Sequence, residues 1–496
     1  MAVATPSRSP SAPAWAAPAG GAAALVLLAL ALRLISGVGF ANYDTLYGLV
    51  WGQQAAHGHT PTYDVPIAPT PHPLVEVVGF VLAPFGPSAM QSITVALGFL
   101  ALAGCGVVLY KLGALWFGRA AGLIAAVLLL TRVPVVSYGV RAYVDVPYLL
   151  CVLGALLVES RRRHAGAPVL GLLAIAGLLR PEAWAFSGLY WLYLWPSRSR
   201  GEMVRLAALA ASAPVLWLGS DLLVTGNPLW SLTHTRDDAT TLGRVSGIVN
   251  VPEYIPRRIG EILGAPELAG AALGGVMALW CLRDRARLLA IVGVVAVAVF
   301  ALFATAGLPI NTRYAFFAAA ILCVFCGAGL VGWHALASDD PRRRWWMAGS
   351  ALVAVAIVAF IPTQVRDLRT QLRTGPDSLS GQQTVIGDLS ALVHDGAISA
   401  RCLPVGVPNH APVPQLALEL ITSPANVVSG DSAAFGGSAL IVHGTYVEPA
   451  DALARRYILD PNDPATLALA RPVPSGFTFV GGNRSWRVYR RCAAPS

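Results

Sequence analysis

Charge is what this sequence has least of. Asp, Glu, Lys and Arg make up 12% of its 496 residues, about half the share carried by a soluble globular chain. Apolar residues take 55% of positions, and the mean hydropathy is +0.61. That shortage excludes a disordered chain, a coiled coil and an ordinary cytosolic enzyme. Lysine is almost missing: Lys111 is the only one, and arginine supplies the rest of the basic charge. The balance of 35 basic against 26 acidic residues leaves +9. The basic residues nevertheless fall in short clusters between apolar runs, a membrane-topology pattern, so no nucleic-acid partner is expected. No internal repeat is visible. Cysteine is sparse too. Cys105, Cys151, Cys281, Cys323 and Cys326 lie in apolar runs and read as packing residues. Cys402 and Cys492 lie in the more polar tail and are candidates for a disulfide in an oxidising compartment.

A helix crosses a bilayer core with about 20 mostly apolar residues. Such runs occur near 21–40, 92–110, 120–138, 143–158, 167–180, 183–195, 206–224, 268–282, 288–307, 314–336 and 346–363. The expectation is an α-helical polytopic membrane protein with about 11 transmembrane helices over residues 20–365. Residues 1–19, rich in Ala, Pro and Ser, read as a disordered cytoplasmic lead. Alternate loops carry the basic clusters: Lys111 with Arg119, Arg161–Arg163, Arg198 to Arg205, Arg283 to Arg287, and Arg342–Arg344. The long first outer loop, 41–90, holds no Lys or Arg. The positive-inside rule then places the N-terminus in the cytoplasm, and an odd number of spans places the C-terminus outside, at a plasma membrane. From Arg366 the composition turns mixed. A small extracytoplasmic α/β domain is expected over 366–496, with helices near Gly387–His394 and Ala450–Ile458 and strands near Ala439–Val442 and Phe477–Tyr489.

Chemistry concentrates on the outer side. Asp44 opens the first outer loop directly after the first span, and Asp64, Glu76, His57, His59 and His72 follow it. Against the positive-inside trend, Arg132, Arg141, Arg180, Arg236, Arg244, Arg257, Arg258 and Arg313 all fall at outer span ends or in outer loops. Ionisable groups at membrane depth are costly and either pair or serve a site. Arg141 with Asp145, one helical turn apart, and Arg180 with Glu182 or another acid are the expected pairs. Guanidinium groups bind phosphate bidentately, so acids and arginines on one face suit an anionic lipid headgroup. The histidines admit a divalent cation but show no ligand spacing that demands one. The interfacial aromatics, Trp184 and Trp230 among them, read as belt residues.

The order of these motifs resembles the GT-C superfamily of polyprenyl-phosphate-sugar-dependent glycosyltransferases, in its protein O-mannosyltransferase and aminoarabinose-transferase-like branch. The features carrying the resemblance are Arg33 in the first span, Asp44, and the Gly58–Tyr63 and Pro71–Leu74 segments. Tyr143–Pro147, Leu179–Glu182, Thr225–Leu229 and Arg313-Tyr314 complete it. The likeness covers residues 20–335. Two positions depart from it: Asp44 stands alone where some members pair two acids, and a single Pro follows His72. The resemblance implies a GT-C-like fold and a polyprenyl-phosphate-linked sugar donor. It also implies an envelope glycan, lipid or protein acceptor, and inverting transfer by one base and one cationic cradle. In that scheme Asp44 and Asp145 are catalytic, while Arg141, Arg180, Glu182, His72, Arg236 and Arg313 bind substrate, with a divalent cation possible. A transporter or flippase of a lipid-linked anion is the alternative; it calls for midplane charges and usually a two-fold repeat.

Overall fold

The computed structural model describes residues 16–375, 377–430, 441–458 and 473–492. The chain opens with α1 (Ala16–Ser36), α2 (Tyr43–Ala56), α3 (Pro73–Leu82), α4 (Pro87–Phe117), α5 (Arg119–Thr131), α6 (Val133–Val140), α7 (Asp145–Arg161) and α8 (Ala167–Leu179). It continues through α9 (Glu182–Leu194), α10 (Arg200–Thr225), α11 (Trp230–Thr241), α12 (Val251–Ile262), α13 (Ala265–Cys281), α14 (Arg283–Thr305), α15 (Phe316–Val331) and α16 (Pro341–Arg369). Among the described residues five helices are long and apolar enough to cross a membrane. The number is seven if the pairs bent by 65° at Arg132 and by 104° between α12 and α13 each count as one. The chain is therefore a multi-pass membrane protein. The expected count of about 11 is not reproduced, because several apolar runs form helices too short to span alone, such as α8 and α9 with 13 residues each.

Helix α15 is the hub, packed against α5, α13, α14 and α16. Without a hydrophobic drive between helices in lipid, close backbone approach has to come from small residues. A Cβ on Gly274 of α13 would collide with the Phe325 carbonyl of α15. The basic clusters share one end of the bundle: Arg163 lies over Trp116, Arg198 donates to the His164 carbonyl, and Arg343 lies over Trp333. Helices α7, α9 and α15 start, and α8, α10 and α14 finish, at the opposite end.

Residues 41–90 are not an irregular loop. They hold α2 and α3, and α4 already begins at Pro87. The N-terminus of α2 is fixed by Asn42, whose Oδ1 accepts from the backbone N–H of Asp44 (2.8 Å) and of Thr45 (3.2 Å). Asn42 Nδ2 donates to the Arg141 carbonyl (3.0 Å) and Thr45 Oγ1 to the Ala142 carbonyl (2.8 Å). Helix α2 is thereby tied to a turn in which Ala142 takes a φ of +52°, a strained conformation for a residue with a Cβ.

The tail contains α17 (Leu379–His394), β1 (Val405–Val407), α18 (Val413–Glu419), β2 (Val427–Ser429), β3 (Gly444–Pro449), α19 (Ala452–Ile458), β4 (Thr478–Gly482) and β5 (Trp486–Arg491). Its sheet runs β2-β1-β3-β5-β4, with β1 parallel to β2 and β3, and β5 antiparallel to β3 and β4. The expected helices at Gly387–His394 and Ala450–Ile458 correspond to α17 and α19, and the expected final strand is the β4–β5 hairpin. The strand expected at Ala439–Val442 lies partly outside the described residues, and Ile441 and Val442 are not in a strand. Residues 1–15 also lie outside them, while α1 reaches back to Ala16 within the expected lead. The α/β unit and α2 share one apolar core, which joins Tyr47, Leu49 and Trp51 to Leu389, Leu416 and Trp486. Cys402 and Cys492 form a disulfide that closes 90 residues. Cys402→Ser is expected to cost the tail unit ~2–5 kcal/mol, measurable as earlier protease cleavage after β3 on heating.

Candidate active site

The first turns of several elements converge on one cavity of about 430 Å³ at the end of the bundle away from the basic clusters. Asp44 comes from the first turn of α2, where the helix dipole favours a carboxylate. Arg313 comes from the 3₁₀ turn Thr312–Ala315 that leads into α15. Arg180 lies in the α8–α9 junction, and Glu182 opens α9. His72 is the residue just before α3, with Pro73 at the first helical position. All five line the cavity, which gathers residues from across some 270 positions of sequence.

Arg313 Nη1 donates to Asp44 Oδ2 at 2.8 Å. Arg180 holds Glu182 through two bonds, Nε to Oε2 at 3.2 Å and Nη2 to Oε1 at 2.5 Å, and also pairs with Asp145 Oδ1. Asp145 Oδ2 stands 3.9 Å from Arg313 Nη1. Asp145 is 1% exposed and lies behind the cavity wall rather than in it. It is the common anionic support of both arginines. Tyr314 gives Arg180 an aromatic face at 4.2 Å. Burial by itself raises the Asp44 carboxyl, but the charge of and hydrogen bond from Arg313 outweigh it and hold the group below its ordinary value. Burial, with Arg180 and Arg313 adding to it, pushes the His72 imidazole down to about 4 against the opposing pull of Asp44 and Asp145, so it is neutral near pH 7. His72 meets Trp217 edge to face at 5.7 Å.

Two expected site residues are elsewhere. Arg141 does not pair with Asp145: Nε donates to the Ser137 carbonyl (3.1 Å) and Nη2 to Ser137 Oγ (2.9 Å), and the guanidinium covers Tyr143 at 4.8 Å. The reason is local. Helix α7 begins only at Asp145, and the positive-φ turn at Ala142 destroys the helical spacing on which that pair depended. Arg236 is exposed on α11 and does not line the cavity. Arg180 with Glu182 is the pair the sequence predicts.

Other lining residues carry no decisive sequence signal. Arg244, one of many outer arginines, lines the cavity, and its guanidinium makes no ion pair or side-chain hydrogen bond among the described residues. Asp221 and Asp238 are in the wall, as are Trp184 and Trp217. Trp184 is therefore a site residue and not solely a belt residue. His410 reaches the cavity from the tail unit, edge to face with Tyr43 at 5.4 Å. The histidines at positions 57 and 59 do not contribute to the cavity. Among the described residues no set of three His, Cys, Asp or Glu side chains gathers as metal ligands. The carboxylates Asp44, Asp145 and Glu182 are engaged by guanidinium groups, while Asp221 is held by Ser231 and Asp238 by His234.

The fold matches a solved structure over nearly the whole chain. It is similar to the crystal structure of ArnT from Cupriavidus metallidurans bound to undecaprenyl phosphate, with a TM-score of 0.55 and 17% identity over 96% of this chain and 99% of that one. The apo form of the same protein gives 0.53 at 17% identity, over 97% and 100%. A looser likeness, 0.48 at 12% identity over 86% of this chain and 68% of that one, extends to the oligosaccharyltransferase of Archaeoglobus fulgidus. No protein-family model matches the sequence, and no curated protein does.

Proposed function

We propose that this chain is an inverting glycosyltransferase that moves a sugar from a polyprenyl-phosphate donor to a cell-envelope acceptor on the outer face of the plasma membrane. The observation carrying this reading is the pairing, in one cavity, of an ionised carboxylate held by Arg313 with an uncommitted guanidinium on Arg244. Asp44 takes the proton of the acceptor hydroxyl. The hydroxyl oxygen attacks the anomeric carbon, and the carbon–oxygen bond to phosphate breaks. Arg244 and the outward faces of Arg313 and Arg180 stabilise the charge gathering on the departing polyprenyl phosphate. A glycosyl phosphate already carries a good leaving group, so one base and one cationic cradle suffice, where a glycosidase needs two carboxyl groups. Asp145 acts through the arginines as a positioning residue. The outward placement of the site rests on the positive-inside rule applied to the basic clusters at the far end of the bundle.

Arg244→Ala is expected to weaken undecaprenyl phosphate binding by roughly tenfold or more, the worth of one charge-assisted hydrogen bond. Folding should be unaffected, because the side chain is exposed. Titration of the purified protein with undecaprenyl phosphate and a melting curve check both. The reading as a whole is tested by incubating membranes with radiolabelled polyprenyl-phosphate sugars. Label transferred to an envelope component supports it; lipid flux across liposomes without transfer would replace it by transport.

A further inference from the structure

The charge balance of the cavity points to its second substrate. Arg180 is satisfied by Asp145 and Glu182, and Arg313 by Asp44. Among the described residues, that leaves Arg244 as the cavity-lining guanidinium without an ion pair. A polyprenyl phosphodiester carries one negative charge, and one uncommitted cation matches it. A second phosphate in the same space would face Asp44, Asp221 and Asp238, and the guanidinium groups left to meet it, Arg180 and Arg313, are already engaged by carboxylates.

The walls divide in the same sense. Leu218 of α10 and Leu302 and Phe303 of α14 supply an apolar side built from membrane helices, suited to a prenyl chain. Thr70, Thr235, Asp238 and His410 supply polar lining. Thr70 and Thr235 share a 2.5 Å hydrogen bond, which joins the segment before α3 to α11. His410 belongs to the tail unit, on the connection between β1 and α18, where Asn409 Oδ1 accepts from the Ala411 N–H at 3.2 Å and sets the turn. Its ring lies against Tyr43, the residue next to the proposed base. Asp238, which His234 holds at 3.5 Å, lines the cavity together with His410, and carboxylate and imidazole groups recognise hydroxyl groups through hydrogen bonds.

We infer that the acceptor is an uncharged sugar unit of an envelope glycan, seated between Asp238 of α11 and His410 of the tail unit, so that the tail unit forms part of the acceptor subsite. The inference rests on the proposed glycosyltransferase reading. In the step, the acceptor's hydroxyl oxygen bonds to the anomeric carbon and its proton passes to Asp44. The electron pair of the broken bond leaves on the phosphate oxygen, giving a neutral glycoside and polyprenyl phosphate.

The test uses a strain lacking this chain, restored with the wild type, His410→Ala or His410→Gln. Envelope glycans are compared by mass spectrometry before and after mild acid, which cleaves glycosyl phosphates and spares glycosides. The expected result is a sugar missing from the deletion strain and restored by the wild type in an acid-stable linkage to a glycan hydroxyl. His410→Ala should restore less than a tenth of it while the purified variant binds undecaprenyl phosphate within twofold of wild type. His410→Gln, which keeps a hydrogen-bonding group, should recover part of the loss. An acid-labile linkage to phosphate, attachment to a protein side chain, or full restoration by His410→Ala would overturn the inference and leave the glycosyltransferase reading in place. A deletion strain with no missing sugar would remove that reading, and the inference with it.

Discussion

Asp44→Asn is expected to lower sugar transfer by about 10²- to 10⁴-fold, the usual worth of a positioned general base, while undecaprenyl phosphate binding stays within a few-fold of wild type. The substitution keeps the shape of the side chain and a hydrogen-bond acceptor for Arg313, whose Nη1 lies 2.8 Å from the carboxylate. What it removes is the ability to hold a proton. Arg313 keeps the second acid, Asp145, within 3.9 Å, so its guanidinium is not stranded. The sign of the pH dependence follows from the same contact. Burial alone would raise the Asp44 carboxyl, yet Arg313 holds it below the ordinary aspartate value. The base therefore stays ionised through the usual carboxylate range, and the acid limb of wild-type turnover should lie below that range. Single-turnover transfer of a labelled sugar across a pH series measures both effects. Near-normal turnover in the asparagine variant would take Asp44 out of the mechanism.

Asp145→Ala should act on the fold before it acts on the rate. The carboxylate is 1% exposed and is the shared partner of Arg180 and Arg313. Deleting one side of a buried ion pair costs about 3–5 kcal/mol, because the remaining charge is left without compensation. Glu182 still holds Arg180 and Asp44 still holds Arg313, which keeps the loss toward that range rather than beyond it. The expected result is a sharply lower melting temperature and poor recovery in detergent. Asp145→Asn, which preserves shape and an acceptor oxygen, should fall between the two. A stable, active alanine variant would show that the arginines are held by other means.

The legible part of this molecule is the part whose partners are close in sequence or dictated by membrane physics. Arg180 and Glu182 are two residues apart, and their pairing is a local matter. The prominence of Asp44 and Arg313 comes from charges standing where lipid makes charge expensive. Arg141 misleads because helical spacing does not run through the turn that Ala142 bends the other way. Within 41–90 the amphipathic look of Leu46–Ala56 marks most of α2, while α3 is obscured by the Pro- and His-rich stretch before it, although Pro73 opens the helix. Arg244 looks like its neighbours until their counter-ions are known, since being unpaired is a property of three-dimensional surroundings. His410 is beyond sequence reasoning altogether: it stands 366 positions after Asp44 and reaches the cavity only because a separate sheet docks there.

Helix α2 buries every residue from Thr45 to Gln54, and α3 and the tail unit share that cover. Removing the tail would lay bare Tyr47 and Trp51 directly behind the residue assigned as base, so truncation is not a neutral way to dissect this protein. Grafting a tail from a related chain is constrained in the same way: the donor must present a surface moulded to this one helix, whatever its own ligand preferences. Divergence of the two halves is thereby yoked, and changes on the outer side of α2 should track changes on α17 and α18.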